Sequence, residues 1–213
     1  MSLTTLLCTL TTAVTATTSF SLDMMLTREV RGAAYPVNRW NTQCSAASLN
    51  ATPCGCYGGH SCRLATLESA GSNVVKLDLG GYASGSGLFF PAFRGEASSK
   101  FLADSGYDAI ALNYRDFTAG VNSTEPTGGA WLASYLDTAR TLDQTLPPAV
   151  VTNIDLTNDP YLTAATPTRA NPNPAGHIAP WALIPMANGK TLALLSLLDP
   201  THLYPLSPSY ANL

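Results

Sequence analysis

Charge is scarce in this chain of 213 residues: Asp, Glu, Lys and Arg make up 12% of it, low for a soluble cytoplasmic enzyme. The eleven Lys and Arg residues are scattered and the formal net charge is −3. A phosphate backbone needs clustered cations, so no nucleic-acid partner is expected. Histidine is rarer still, with only His60, His177 and His202. No apolar run approaches the ~20 residues a helix needs to cross a bilayer, so no stable membrane span is expected. There is no internal repeat. At this length one domain with a substantial core is the default.

What is present begins with Met1 to Ser21, apolar or Thr-rich and without a charged side chain. Leu3, Leu6, Leu7, Leu10, Ala13 and Val14 form a short greasy centre, and Val14-Thr15-Ala16 a small-residue cleavage site. This is the pattern of a secretory signal peptide. The basic residue that usually precedes the apolar run is missing. An uncleaved anchor, an ordered segment packed on the domain and a Thr-rich tail are the other readings. Residues 1–21 are therefore set apart from a domain over 22–213, and the expected destination is the secretory pathway, extracellular or cell surface. A retained segment points instead to an intracellular assembly.

Besides Cys8, cysteine occurs as Cys44, Cys54, Cys56 and Cys62, all within one loop. An even cluster of this kind suggests two disulfides, with three pairings open. A zinc site competes less well, because one residue separates Cys54 from Cys56 where structural sites prefer two to four. Asn50-Ala51-Thr52 and Asn122-Ser123-Thr124 are glycosylation sequons, making Asn50 and Asn122 candidate carbohydrate sites.

Hydrophobic patterning predicts strands over Leu22–Thr27, Val74–Leu77, Ala109–Leu112 and Ala149–Ile154. Helices are predicted over Cys62–Ala70, Phe89–Ser105 and from Gly128-Gly129 to Pro147-Pro148, where proline ends the run. Glu29 to Gly59 reads as a long connection and Asn158 to Pro174 as a surface loop. Trp181–Met186 and Thr191–Leu197 flank Ala187-Asn188-Gly189, a hairpin signal. Strands alternating with helices give an α/β chain built on a parallel sheet, whose chemistry sits where strands end and loops begin. Trp40, Tyr57, Tyr82, Phe89 and Phe90 lie in or beside those loops, as core or as aromatic anchors for a partner.

Four blocks of this sequence resemble the N-terminal domain of the 5′-nucleotidase family of calcineurin-like metallophosphoesterases. YDAIALNYRDFTAGV, Tyr107 to Val121, stands where that family reads roughly YDAxALGNHEFDNGV. KLDLGGYASG, Lys76 to Gly85, matches LLDAGDxxxG, and Gly58 to Thr66 matches GGxARLAT. Leu26 to Gly32, LTREVRG, lines up with HTNDVHG. The resemblance implies an incomplete metallophosphoesterase sandwich: mostly parallel sheets flanked by helices, with a cystine-bearing loop. Extracellular members of that family also carry cysteine in this loop.

The family's reaction uses two metal ions that activate a water and clamp the phosphate. Carried over residue by residue, the first turn's Asp becomes Glu29 and its His becomes Arg31. The bridging Asp becomes Gly81, the Asn ligand becomes Tyr114, the adjacent His becomes Arg115 and the following Glu becomes Asp116. Glycine has no side chain, and a guanidinium has only donors and stays protonated, so neither ligates a cation. Asp78 corresponds to a residue that packs under the loop. His60, His177 and His202 match no ligand position and read as surface or structural.

The expectation is thus a non-catalytic module with no catalytic residue, no metal ligand and no cofactor, serving a protein partner or larger assembly. In place of metals, Arg31 and Arg115 would pair with Glu29 and Asp116, or point to solvent, or together bind a phosphate or sulfate. The alternative is a hydrolase of nucleotide 5′-monophosphates or related phosphoesters, using zinc or manganese with the remaining ligands outside this segment. An incomplete sheet leaves an open edge that must be covered or paired.

Overall fold

The computed structural model describes residues 21–31, 33–38, 40, 42–49, 56–71, 73–83, 95–118, 128–157 and 159–199. Cys54, Asn50, Asn122, Phe89, Phe90, His202 and the 1–20 segment of the expected signal peptide lie outside these residues.

The central element is a parallel sheet in the order β1 (Asp23–Thr27), β4 (Val74–Asp78), β5 (Ala109–Ala111), β6 (Ala149–Val150), β7 (Ile178–Ala179). Its register places Leu26 beside Leu77 and Leu77 beside Ala109, then Ile110 beside Ala149 and Ala149 beside Ile178. Side chains alternate between faces, so each strand sorts its residues into two layers. On one face Ile110, Ala149 and Ile178 pack with Leu67 of α2 (His60–Glu68) and Leu102 of α3 (Glu96–Asp104). Leu132, Leu136 and Ala139 of α5 (Gly128–Leu142) complete that layer. On the other, Val75, Leu77, Ala109 and Val150 meet Ala182 and Ile184 of β8 (Ala182–Pro185), with Leu192 and Leu194 of β9 (Thr191–Leu194) against them. The β8–β9 pair is the antiparallel hairpin expected around Asn188-Gly189.

Between β1 and β4 the long connection is not featureless. Val37–Asn38 (β2) pairs antiparallel with Cys56–Tyr57 (β3), and Ala46–Leu49 forms a one-turn helix, α1. Cys44 and Cys56 are disulfide-bonded, and Cys62 is a free, exposed thiol. That corrects the expectation that Cys62 joins a second disulfide: it stands in the first turn of α2, on an exposed side of that helix.

Other differences have local causes. The fourth expected strand, Ala149–Ile154, stops at Val150, because Thr152 and Asn153 turn their hydrogen bonds to Ser196 and Leu198. β7 was not foreseen; two residues before a proline carry no readable period. Among the described residues α3 begins at Glu96 rather than in a helix from Phe89. The polar turn after β5 is a short helix, α4 (Tyr114–Thr118). It is fixed by a reciprocal cap in which Asn113 Oδ1 accepts the Arg115 N–H and Asp116 Oδ2 accepts the Asn113 N–H.

Candidate functional site

Three strand ends meet at the carboxyl edge of the sheet. Leu79 N donates to Thr27 O, Glu29 N to Gly80 O and Arg31 N to Gly81 O, each at 2.8 Å, so the chain leaving β1 is stitched to the chain leaving β4. Glu29 and Arg31 take left-handed backbone angles, φ 54° and 49°. That conformation costs a residue with a Cβ on the order of 1 kcal/mol, held here by those backbone bonds. Gly81 also has a positive φ, 82°, and a Cβ on it would lie 2.9 Å from Glu29 Cα. A side chain at 81 and the present path of Glu29 are therefore incompatible.

Glu29 is the hub. Its Oε1 accepts from Asn113 Nδ2 at 2.8 Å, and its Oε2 faces Arg31 Nε at 2.7 Å and Arg115 Nε at 3.3 Å. Arg115 also lies over the Tyr114 ring, 5.1 Å from its centroid. One carboxylate thus answers two guanidiniums, which remain 47% and 39% exposed.

Asp116 does not join this cluster, which corrects its expected pairing with the arginines. It is buried, and its carboxyl accepts the backbone N–H of Gly81 at 2.8 Å, Asn113 at 2.9 Å and Ala83 at 3.0 Å. Its place in the first turn of α4 aims the short side chain inward, where it ties the β4 loop to the β5 loop. Burial raises its pKa, opposed by the three backbone bonds, with nearby Glu29 adding to the rise. Asp78, also buried, accepts from Thr27 Oγ1 at 2.5 Å and from Gly80 N at 2.9 Å. Burial pushes its carboxyl up to about 7.

The two described histidines fill structural roles. His177 Nδ1 accepts the Thr163 N–H and its Nε2 faces Asp137 Oδ1 at 3.0 Å, pinning the β6–β7 connection to α5. His60 opens α2 and stacks on Phe101 at 4.3 Å between centroids. Burial and Arg63 lower its pKa against the pull of Asp104. Tyr82 is core, 2% exposed and hydrogen-bonded by Arg63, whereas Trp40 and Tyr57 are exposed.

A two-metal site does not fit these residues. Glu29 would have to surrender both arginines, and Asp116 would strand two buried N–H groups and a part-buried third. Among the described residues no group of three His, Cys, Asp or Glu is placed to hold a cation. Sequence reasoning missed Asn113 as the third donor onto Glu29. The cap pattern Asn113-x-x-Asp116, an N-cap residue with an acid three positions on, is the signal that would have placed Asp116.

The fold is shared with a solved 5′-nucleotidase precursor. A 5′-nucleotidase precursor from Thermus thermophilus matches it with a TM-score of 0.60 at 23% identity, covering 86% of this chain and 29% of that one. A calcineurin-like phosphoesterase from Bacillus subtilis aligns over 89% of this chain and 52% of its own, at 14% identity and a TM-score of 0.46. In sequence, a snake venom 5′-nucleotidase from Gloydius brevicauda is 29% identical over 106 residues, 48% of this chain and 17% of the venom protein. No family model matches. The resemblance to the N-terminal domain of 5′-nucleotidases, read from four blocks of sequence, therefore holds in fold and in sequence. The chain spans less than a third of either 5′-nucleotidase. Among the described residues no helix is long and apolar enough to cross a membrane.

Proposed function

We propose that this chain is a non-catalytic relative of the 5′-nucleotidases, a structural or interaction module that needs no metal cofactor. At the position of the family's metal pocket it carries an ion-pair cluster with positive charge to spare for an anionic group. One observation carries the reading: Glu29 spends both carboxylate oxygens on Asn113, Arg31 and Arg115, while Gly81 opposite has no side chain. Two guanidiniums against one carboxylate leave a unit of positive charge, and both arginine side chains stay partly exposed. The disulfide Cys44–Cys56 and the venom origin of the sequence relative support an extracellular or cell-surface setting, with residues 1–21 as a signal peptide and Asn50 and Asn122 as carbohydrate sites.

The test is to load the purified chain with zinc or manganese, measure bound metal and assay hydrolysis of nucleoside 5′-monophosphates. Sub-stoichiometric metal and no turnover above the blank are expected; stoichiometric metal with turnover overturns the reading. The alternative is a hydrolase of nucleotide 5′-monophosphates or related phosphoesters whose remaining ligands lie outside these 213 residues. The short share of the relatives that this chain spans favours it, 17% and 29%. It would still have to work without a bridging carboxylate at Gly81.

A further inference from the structure

We infer that the free edge of β1, with the groove beside it, takes an extended segment of a partner protein as an added strand, an apolar run bounded by an ammonium and a carboxylate. This rests on the interaction reading above and names the partner's chemistry and its mode of binding. Among the described residues β1 pairs with β4 alone. Successive residues of a strand turn their backbone groups to opposite sides. Thr27 O accepts from Leu79 N, so Thr27 faces β4, with Asp23 and Met25 in step. Met24 and Leu26 therefore present N–H and C=O at the free edge. Between Asp23 and Arg28 there is no charged residue, proline or bulge, the devices that blunt an edge.

A groove of about 490 Å³ runs along the same stretch, lined by Met25 to Val30 and by Cys62, Thr66 and Leu67 of α2. Met25 and Leu67 belong to the helical layer, so the groove lies on that face of the sheet, while Met24 and Leu26 are exposed on the other. A strand added here places alternate side chains in the groove and lays the rest beside Met24 and Leu26, burying apolar surface on both faces. Charge sets its ends. Asp23 opens β1 and Arg28 follows it; both are exposed, and neither is in an ion pair among the described residues. Of the other charged residues lining the groove, Glu29 is held by Asn113, Arg31 and Arg115, and Arg63 donates to the Tyr82 hydroxyl. A carboxylate beside Arg28 and an ammonium beside Asp23 satisfy both ends, and the reverse placement is repelled.

The intact chain is titrated with fluorescein-labelled Lys-Val-Thr-Val-Ile-Val-Glu and with the same residues in reverse order, the parallel and antiparallel matches. One of them should bind, slowing hydrogen exchange at the Met24 and Leu26 amides and alkylation of the free Cys62 thiol. N-methylating one alternate set of its residues should weaken binding about tenfold and the other set should have no effect, because a strand turns only every second amide to its neighbour. Thr66→Arg, which fills the groove from α2, should weaken binding about tenfold and Arg28→Glu about fivefold. Thr141→Arg on α5 should leave binding unchanged; its hydroxyl bonds back to Asp137 O as that of Thr66 does to Cys62 O. Melting curves check that each variant is folded. Equal effects of the two N-methyl sets, or a silent Thr66→Arg, overturn the inference. So does protection of Met24 and Leu26 in the peptide-free chain, whether by a second copy or by another part of the chain. Metal-dependent turnover of a nucleotide by the same sample defeats the non-catalytic reading; absent peptide protection without turnover defeats the edge site alone.

Discussion

Protonation matters most at Asp78. Burial is the largest cause of its rise from 3.8 to about 7; Asp116 adds to it, while Thr27, Gly80 and Arg63 oppose it. Thr27 has one hydroxyl proton and two neighbours, Asp78 at 2.5 Å and Tyr107 at 2.8 Å. With Asp78 ionised, Thr27 donates to it and Tyr107 donates to Thr27; with Asp78 protonated, both bonds reverse. All three groups stay bonded in either state, so the difference falls on the buried charge. A folded pKa above the unfolded one favours the neutral form, so this contribution to stability is full below about pH 4 and is lost as pH rises through about 7. The melting temperature should therefore fall between about pH 5 and about pH 8, and Asp78→Asn should remove most of that slope, Asp116 keeping the remainder. His60, its pKa lowered, contributes in the opposite sense across this window, so the difference between wild type and Asp78→Asn carries the test: a slope unchanged by the substitution contradicts the assignment. Asp116 gives a second prediction at this scale. Asp116→Ala strands the buried N–H groups of Gly81 and Ala83 and the part-buried one of Asn113, and should cost about 2–4 kcal/mol in urea unfolding.

At the scale of elements, a short cap and a stapled loop shape the site. α4 exists because Asn113 and Asp116 satisfy each other's backbone donors, and that cap draws Asp116 away from the arginines. The connection from β1 to α2 is the opposite case, tied by the two-residue β2–β3 pair and a disulfide. Replacing Cys44 and Cys56 by serine should lower stability by about 2–3 kcal/mol, the value for closing a loop of this size. Hydrogen exchange should quicken at Asn38 and Cys44, whose amides bond within the loop, while the β4 and β5 amides hold. Uniform quickening across the sheet would mean the loop is part of the main folding unit.

Across the whole molecule, the two layers cover the sheet unequally. Leu26 and Leu77 are neighbours in register on one face, yet Leu77 is 3% exposed beneath the β8–β9 hairpin and Leu26 is 52% exposed beyond its edge. Met24, on the same face of β1, is 53% exposed. Leu77→Ala should therefore cost about 2–5 kcal/mol and Leu26→Ala under about 1 kcal/mol, read from denaturant midpoints. Similar losses at both positions would show that β1 is covered in solution. The edge of β1 away from β4 pairs with no strand among the described residues.

The sequence by itself determined the chemistry available at the strand ends. Gly81 has no side chain to ligate with, and the Arg31 and Arg115 guanidiniums cannot ligate, because side-chain donor sets are covalent facts. It also determined β1, β4, β5 and the long α5, whose apolar periods are strong and local. Only the tertiary structure decided that both arginines meet Glu29, that Asp116 turns inward and that Cys62 stays unpaired. It likewise decided β7, two residues long and defined only by its neighbour β6. Which partner a side chain meets depends on backbone angles and on groups up to 84 positions away in the chain, as Asn113 is from Glu29, and short-range pattern carries no record of either.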